Sequence, residues 1–269
     1  MIHRILLVIA YDGTNYNGFA LQKEESLVTV EGTLNQALRQ LTGEDIRVIG
    51  ASRTDSGVHA YCNYVVFDTQ SRIPPDKFAD ALNTKLPQDI RVRKSRATEP
   101  DFHPRNAQTV KTYEYRIYNA RVPDPIRRNY CCYTHFHLDC ERMREAAKYL
   151  VGEHDFKSFC NPATAAATTV REIVSIEIEE KSCGLPSIML TKNHTIAQQD
   201  EAREITIRIQ GKGFLYNMVR IIAGTLIDVG RGNREPYQVK EMLDARDRQC
   251  AGPTAPACGL FLTDYRFIH

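Results

Sequence analysis

The sequence lacks the features that mark several large protein classes. Its longest apolar run near the N-terminus is Ile5 to Ala10, six residues, with Asp12 close behind. That is too short for a membrane span or for the apolar core of a secretory signal. Eight cysteines are present, yet none forms a Cys-x-x-Cys pair and none sits in a Cys/His cluster with zinc spacing. With no secretory signal, free thiols in a cytoplasmic protein are expected rather than a disulfide framework. There is no Walker loop, no Gly-x-Gly-x-x-Gly after a strand and no His-Glu-x-x-His, so nucleotide-driven chemistry and metal hydrolysis lose their usual sequence support. Charge of one sign is not in excess either. The 35 basic against 33 acidic residues leave +2, so a nucleic-acid site would have to come from local clustering.

What is present is the composition of a folded chain. Over 269 residues, 42% are hydrophobic and 25% charged, which excludes dominant disorder and fits one large domain or two small ones. Residues 3 to 11 read as a buried strand, and Val30, Leu34, Ala37, Leu38 and Leu41 keep helical spacing. Ile46 and Val48 alternate as a second strand, and residues 60 to 68 as a third. A helix opens at Pro74-Pro75-Asp76, and Ile90 and Val92 give a fourth strand. The second half repeats this order. A strand holds Tyr113, Tyr115 and Ile117, and a helix follows with Asp139 as its cap. Strands at 174 to 178 and 205 to 209, an apolar helix from about Leu215 to Val229, a shorter helix after Glu235-Pro236 and a closing strand at 259 to 268 complete it.

Each half therefore reads strand, helix, strand, strand, helix, strand. The expected fold class is α+β: two ferredoxin-like (βαββαβ) halves, 1–107 and 108–269, with antiparallel sheets joined around a central cleft for a large ligand. The segment 181 to 203 has the least pattern and reads as a long surface excursion, a mobile hairpin between two strands.

Three stretches carry candidate chemistry. The loop ASRTDSGVHA (51 to 60) packs Arg53, Asp55 and His59 around Gly57. Asp-x-Gly is also common in ordinary turns, so spacing alone leaves both readings open. Arg220 lies in FLYNMVRIIAGTLIDV, a segment that is apolar nearly all round with only Asp228 as an acid. A guanidinium there must reach solvent or find a carboxylate, structural or functional. From Arg91 to Arg128, ten basic residues face four acidic ones, with Tyr113, Tyr115 and Tyr118 interleaved. That is the composition of an RNA surface, and equally of a solvated face over strand tyrosines.

Taken in order, seven motifs resemble the tRNA pseudouridine synthase A family along nearly the whole chain. They are IAYDGTNYNGF (9 to 19), SRTDSGVHA (52 to 60), ALNTKLPQDIRV (81 to 92), DFHPRNAQTVKTYEYRI (101 to 117), GEHDFKSF (152 to 159), GFLYNMVRIIAGTL (213 to 226) and APACGLFL (255 to 262). The second is the most specific.

The resemblance implies that uridine in tRNA is isomerised to pseudouridine, in the anticodon stem-loop at positions 38, 39 and 40, without cofactor or metal. It places the catalytic Asp at Asp55, its pairing Arg at Arg220 and the active-site Tyr at Tyr113. It implies substrate contacts from Arg53, which would displace the target base, from Leu260 beneath the base and from His59 on the same loop. Arg105, Lys111, Arg127 and Arg128 become candidates for tRNA phosphates. It further implies a cytoplasmic homodimer with tRNA as partner and no membrane. Two alternatives share these residues: a paralogue acting on another RNA such as ribosomal RNA, and an RNA-binding or RNA-folding protein whose catalysis is secondary. The sequence departs from the family pattern at Gly18-Phe19-Ala20, where Gly-Trp-Gln is usual, at Ala51, where Gly is frequent, and at Asn63, where Gln is usual.

Overall fold

The computed structural model describes residues 2–24, 26–183 and 202–268. The chain separates into two units, one of residues 1–112 with 261–269 and one of residues 113–260. The expected excursion at 181 to 203 lies, apart from its ends, outside the described residues.

The first unit opens with β1 (His3–Tyr11), whose apolar residues Ile5, Leu6, Leu7 and Ile9 are buried. Helix α1 (Val30–Thr42) starts where Thr29 Oγ1 accepts from the Gly32 amide, and it ends at Gly43 in the left-handed region. It buries Val30, Leu34, Ala37 and Leu38, the spacing that marked it in the sequence. The strand expected at Ile46 and Val48 is a correction. Both side chains are buried, but the Val48 amide donates to Asn35 Oδ1 of α1, and pairing is confined to β2 (Ile49–Gly50). Then come β3 (His59–Thr69), α2 (Phe78–Asn83) and β4 (Ile90–Ala97).

The second unit takes over within β5 (Thr109–Asn119). It continues with β6 (Cys132–Thr134), α3 (Cys140–Lys148), β7 (Gly152–Asp155), β8 (Val170–Ser182) and β9 (Arg203–Gly211). Asp139 caps α3 as the sequence suggested, accepting from the amides of Glu141 and Arg142. Helix α4 (Met218–Gly230) starts later than the apolar pattern implies, because Asn217 sits at φ 60° and cannot be part of a right-handed helix. A shorter α5 (Gln238–Ala245) follows, and β10 (Leu260–Phe267) closes the chain. The strand order here is β5-β9-β8-β7, with β6 parallel to β5.

Sequence order would assign the closing strand to the second half. Residues 261–269 instead belong to the first unit, where Phe261 and Leu262 pair in parallel with His59 and Ala60 of β3. The first unit's strand order is β4-β1-β3-β10, with β2 beside β3. Both units are thus mixed α+β, with mostly antiparallel pairing.

The pairing of β1 with each of its neighbours is interrupted once by a bulge in the neighbour. Val8 and Ile9 face Lys94 and Val92, which leaves Arg93 of β4 as an extra residue. Ile9 and Tyr11 face Asn63 and Ala60, which puts an extra residue at Tyr61–Cys62 of β3. Such bulges bend a strand and re-aim a side chain. Among the described residues no helix is long and apolar enough to cross a membrane. All eight cysteines are free thiols.

Candidate active site

The Asp55 loop joins β2 to β3 and alternates in burial. Ser52 and Thr54 point inward, Arg53 is exposed and Asp55 is half-buried. What fixes this alternation is a buried polar clamp. Asn63, with no exposed surface, accepts from the Ser52 amide through Oδ1 at 3.1 Å and donates to the Ser52 carbonyl through Nδ2 at 2.9 Å. Its Nδ2 also lies 3.4 Å from Tyr11 Oη, which in turn is 2.7 Å from Thr54 Oγ1. Burial pushes the Tyr11 phenol up to about 12, so at neutral pH it is a neutral hydroxyl that can both donate and accept. Arg53 and Asp55 thus follow Ser52 and Thr54, whose main chain or side chain is tied to the sheet.

The first motif supports the loop from the other side. The Phe19 amide donates to the Thr54 carbonyl at 3.0 Å, and the Tyr16 carbonyl accepts from the Gly57 amide at 3.2 Å and from Ser56 Oγ at 3.2 Å. These contacts need glycine. A Cβ on Gly13 would lie 2.0 Å from the Val58 carbonyl oxygen. Gly18, at φ +87°, would bring one within 2.8 Å of the Thr54 oxygen. Phe19 is fully buried against Gly50, so the aromatic of this motif is a core residue and does not face a ligand.

His59 is buried at the loop's end. Its Nδ1 lies 3.1 Å from the Gly13 amide and 3.1 Å from Asp12 Oδ1. Nδ1 thus lies between an amide donor and a carboxylate acceptor, both on the first motif. Asp12 Oδ1 also accepts from the amide and hydroxyl of Thr14. His59 is therefore tied into the first motif.

The first unit also gathers three cations from separate stretches. Lys111 is half-buried, 5.2 Å from the Tyr265 ring. Burial lowers its pKa to about 8, with further lowering from the charges of Arg105 and Arg53. Arg105 is anchored by Nε to the Gly50 carbonyl at 2.8 Å, just before the loop. The structure therefore brings Arg53, Arg105 and Lys111 into mutual electrostatic range.

In the second unit, Arg220 is half-buried on the first turns of α4. It donates from Nε to the Ala255 carbonyl at 2.8 Å and from Nη1 to Asn217 Oδ1 at 3.0 Å. Close approach of α4 to the 250s makes this possible. A Cβ on Gly224 would lie 1.9 Å from the Pro253 oxygen, and one on Gly252 2.7 Å from Thr225 Cα. Tyr113 is buried, with its ring 5.1 Å from Phe214 edge-on, and Leu260 is buried at the start of β10. Tyr115 donates to the Pro256 carbonyl at 2.9 Å, and burial holds its phenol well above the ordinary range.

The basic residues at 127 and 128 part company. Arg127 pairs with Asp124 at 3.3 Å and with Glu204, and lies over the Tyr118 ring. Arg128 is exposed, with Nη1 on the Pro125 carbonyl at 2.7 Å. Sequence reading missed the clamp of Tyr11, Thr54 and Asn63. Its one signal was Asn63 itself, a polar residue inside the strand YCNYVVF.

Comparison with known proteins adds to this geometry. The family described as tRNA pseudouridine synthase matches residues 7–105 and 146–267. The Asp55 loop and Arg220 fall inside the match, and Tyr113 falls in the gap between its two stretches. A Brevibacillus brevis protein named tRNA pseudouridine synthase A is 43% identical over 257 residues, 96% of each chain. Its Caldicellulosiruptor bescii namesake is 40% identical over 98% of this chain and 99% of its own. Clostridium perfringens tRNA pseudouridine synthase A 2 is 41% identical over 97% and 98%. With matches of this length in both units, the chain belongs to the tRNA pseudouridine synthase family.

Proposed function

We propose that this chain isomerises uridine to pseudouridine in tRNA, with Asp55 as its essential carboxylate and the anticodon stem-loop, at positions 38, 39 and 40, as its target. The observation that carries the reading is the Asp55 loop: a half-buried carboxylate on a backbone tied down by Asn63 and by the first motif, in a chain similar over its length to named tRNA pseudouridine synthases.

In the reaction the N1–C1′ bond of uridine breaks, the uracil turns, and C5 bonds to C1′. The C5 proton leaves and N1 takes one up, so atoms balance with no co-substrate. Asp55 can attack C1′ or remove the C2′ proton, and either route needs one ionised carboxylate. Arg220 pairs with Asp55 and holds it ionised. Tyr113 stacks on the uracil, with its hydroxyl placed for the late removal of the C5 proton. Arg53 enters the gap left by the extruded base, and Leu260 lies beneath that base. His59 contributes through the loop. Arg105, Lys111 and Arg128 meet phosphates, and Arg127 does so from a position already shared with two carboxylates.

The same reading takes the chain as a cytoplasmic homodimer of two ferredoxin-like halves, with the closing strand added to the first. The strand order β4-β1-β3 with β2 beside β3 supports the first half. Sedimentation at twice the chain mass tests the dimer.

The deciding experiment is tritium release from C5-labelled tRNA transcripts. Wild type should release tritium and Asp55→Asn should not, while both bind tRNA with similar affinity. Release by Asp55→Asn at the wild-type rate would remove Asp55 from the chemistry, and binding without release by the wild type would remove the isomerase reading.

A further inference from the structure

A stacked column of four side chains runs through the first unit, beginning at the foot of the Asp55 loop. The buried His59 ring stacks on Phe261 with centroids 4.6 Å apart and an interplanar angle of 21°. Phe261 stacks on Tyr61 at 5.6 Å and 14°. Tyr61 then lies beneath the Arg93 guanidinium, whose central carbon is 6.0 Å from the ring centroid. His59 and Phe261 are directly paired across β3 and β10, which accounts for the inner half of the column.

The outer half depends on the two bulges. Without them, β1 would hold β3 and β4 in plain two-residue alternation. The extra residue at Tyr61–Cys62 and the extra residue Arg93 flank the same short stretch of β1, Val8 to Tyr11. They re-aim two side chains that meet. Both are left at the surface: Tyr61 is 41% exposed, and Arg93 is exposed. A large aromatic ring under a cation at the surface gains little for the fold, since an exposed cation–π contact contributes only about 0.5–1 kcal/mol.

The strand that carries Arg93 is charged in one sense. β4 (IRVRKSRA) holds Arg91, Arg93, Lys94 and Arg96 and no acid, and it ends the strand order of its unit. Cations on a terminal strand also deter edge-to-edge pairing. Edge protection accounts for the cations and for a bulge on a terminal strand, but not for the aromatic column beneath Arg93. A guanidinium backed by stacked rings, on a strand that carries three more cations, matches an unstacked nucleotide with its flat base and adjoining phosphate.

We propose that Arg93, supported by Tyr61, is a docking platform for a nucleotide of the bound RNA, with a base stacked on the guanidinium and neighbouring phosphates facing the cations of β4. The proposal rests on the tRNA reading above. Tyr61 and Phe261 are positioning residues for Arg93, and the column links the platform to His59 and the loop.

The test measures tRNA-transcript affinity across a range of salt concentrations for wild type, Arg93→Ala, Arg93→Lys, Tyr61→Ala and Tyr61→Phe, with thermal melting as the check on folding. Arg93→Ala should weaken binding about tenfold and reduce the salt slope by about one. Arg93→Lys keeps the charge and loses the plane, so it should keep the salt slope yet still bind about fivefold or more weakly. Tyr61→Ala should also weaken binding, and Tyr61→Phe should restore it. Wild-type affinity in Arg93→Lys would reduce the contact to a phosphate charge and overturn the stacking. Wild-type affinity in Arg93→Ala would overturn the platform altogether. Tritium release by the wild type in the same preparation is a separate readout, so failure of the isomerase reading and failure of the platform are distinguishable.

Discussion

Replacing Asn63 with Leu would test whether the buried clamp sets the geometry of the Asp55 loop. The amide side chain supplies two short hydrogen bonds to Ser52, 3.1 Å to its N–H and 2.9 Å to its C=O. Asn63 has no exposed surface and Ser52 is 4% exposed, so no bulk water stands ready to replace these bonds. Each stranded buried backbone group costs about 1–3 kcal/mol, or about 2–6 kcal/mol for the pair. Burial of the leucine side chain offsets about 1.5–3 kcal/mol of that, so the net change spans about −1 to 4.5 kcal/mol, centred on a loss of about 2 kcal/mol. Against a typical total of about 5–15 kcal/mol this is measurable by urea unfolding. The loop would also lose its register, and a displacement of about 1 Å of a reacting group can cost about 100-fold in rate. We expect kcat for tritium release to fall about 10- to 100-fold while tRNA affinity changes by less than about threefold, because the clamp faces inward. Asn63→Gln, which keeps both a donor and an acceptor and carries the residue usual in the family, should recover most of the rate. A leucine variant within about 0.5 kcal/mol of wild type and with unchanged kcat would refute the clamp as a positioning device.

Lys111 is held to about 8 in the folded protein against 10.5 as a free side chain, so the folded state binds fewer protons between those values and stability rises as pH climbs from about 8 to about 10.5. Lys111→Met should flatten that rise and stabilise the RNA-free protein at pH 7 by up to about 3 kcal/mol. Urea midpoints at pH 7 and 9.5 check this, and an unchanged pH slope would contradict the assigned burial. Gly13→Ala places a methyl 2.0 Å from the Val58 carbonyl oxygen, so the turn or the loop must shift. Overpacking of this kind costs about 1–3 kcal/mol, and circular-dichroism melts should show it as a lower midpoint with reduced activity.

Much of this protein was legible in its sequence because the signals are local. The 3.6-residue spacing of Val30, Leu34, Ala37 and Leu38 found α1, Asp139 found the start of α3, and alternation found β5, β8 and β9. The motif around Asp55 marked the candidate loop only through its resemblance to the family, and the loop lies between β2 and β3. Misjudged elements had long-range causes. Ile46 and Val48 alternate like a strand, but the amide of Val48 is taken by Asn35, thirteen positions earlier. Alternation cannot register that competition.

Tertiary structure alone decided how the separate motifs work together. No pattern in residues 260–267 says that this strand pairs with β3 of the first unit, because strand partners are chosen by pairing across the fold and not by sequence order. The distances from Asn63 to Ser52, from Gly13 to Val58 and from Arg93 to Tyr61 likewise span 11, 45 and 32 positions of chain. By itself, the sequence determined which side chains are available for the chemistry and most of the local elements that carry them. The fold determined which buried polar groups must be satisfied together, and so which backbone holds Asp55 still.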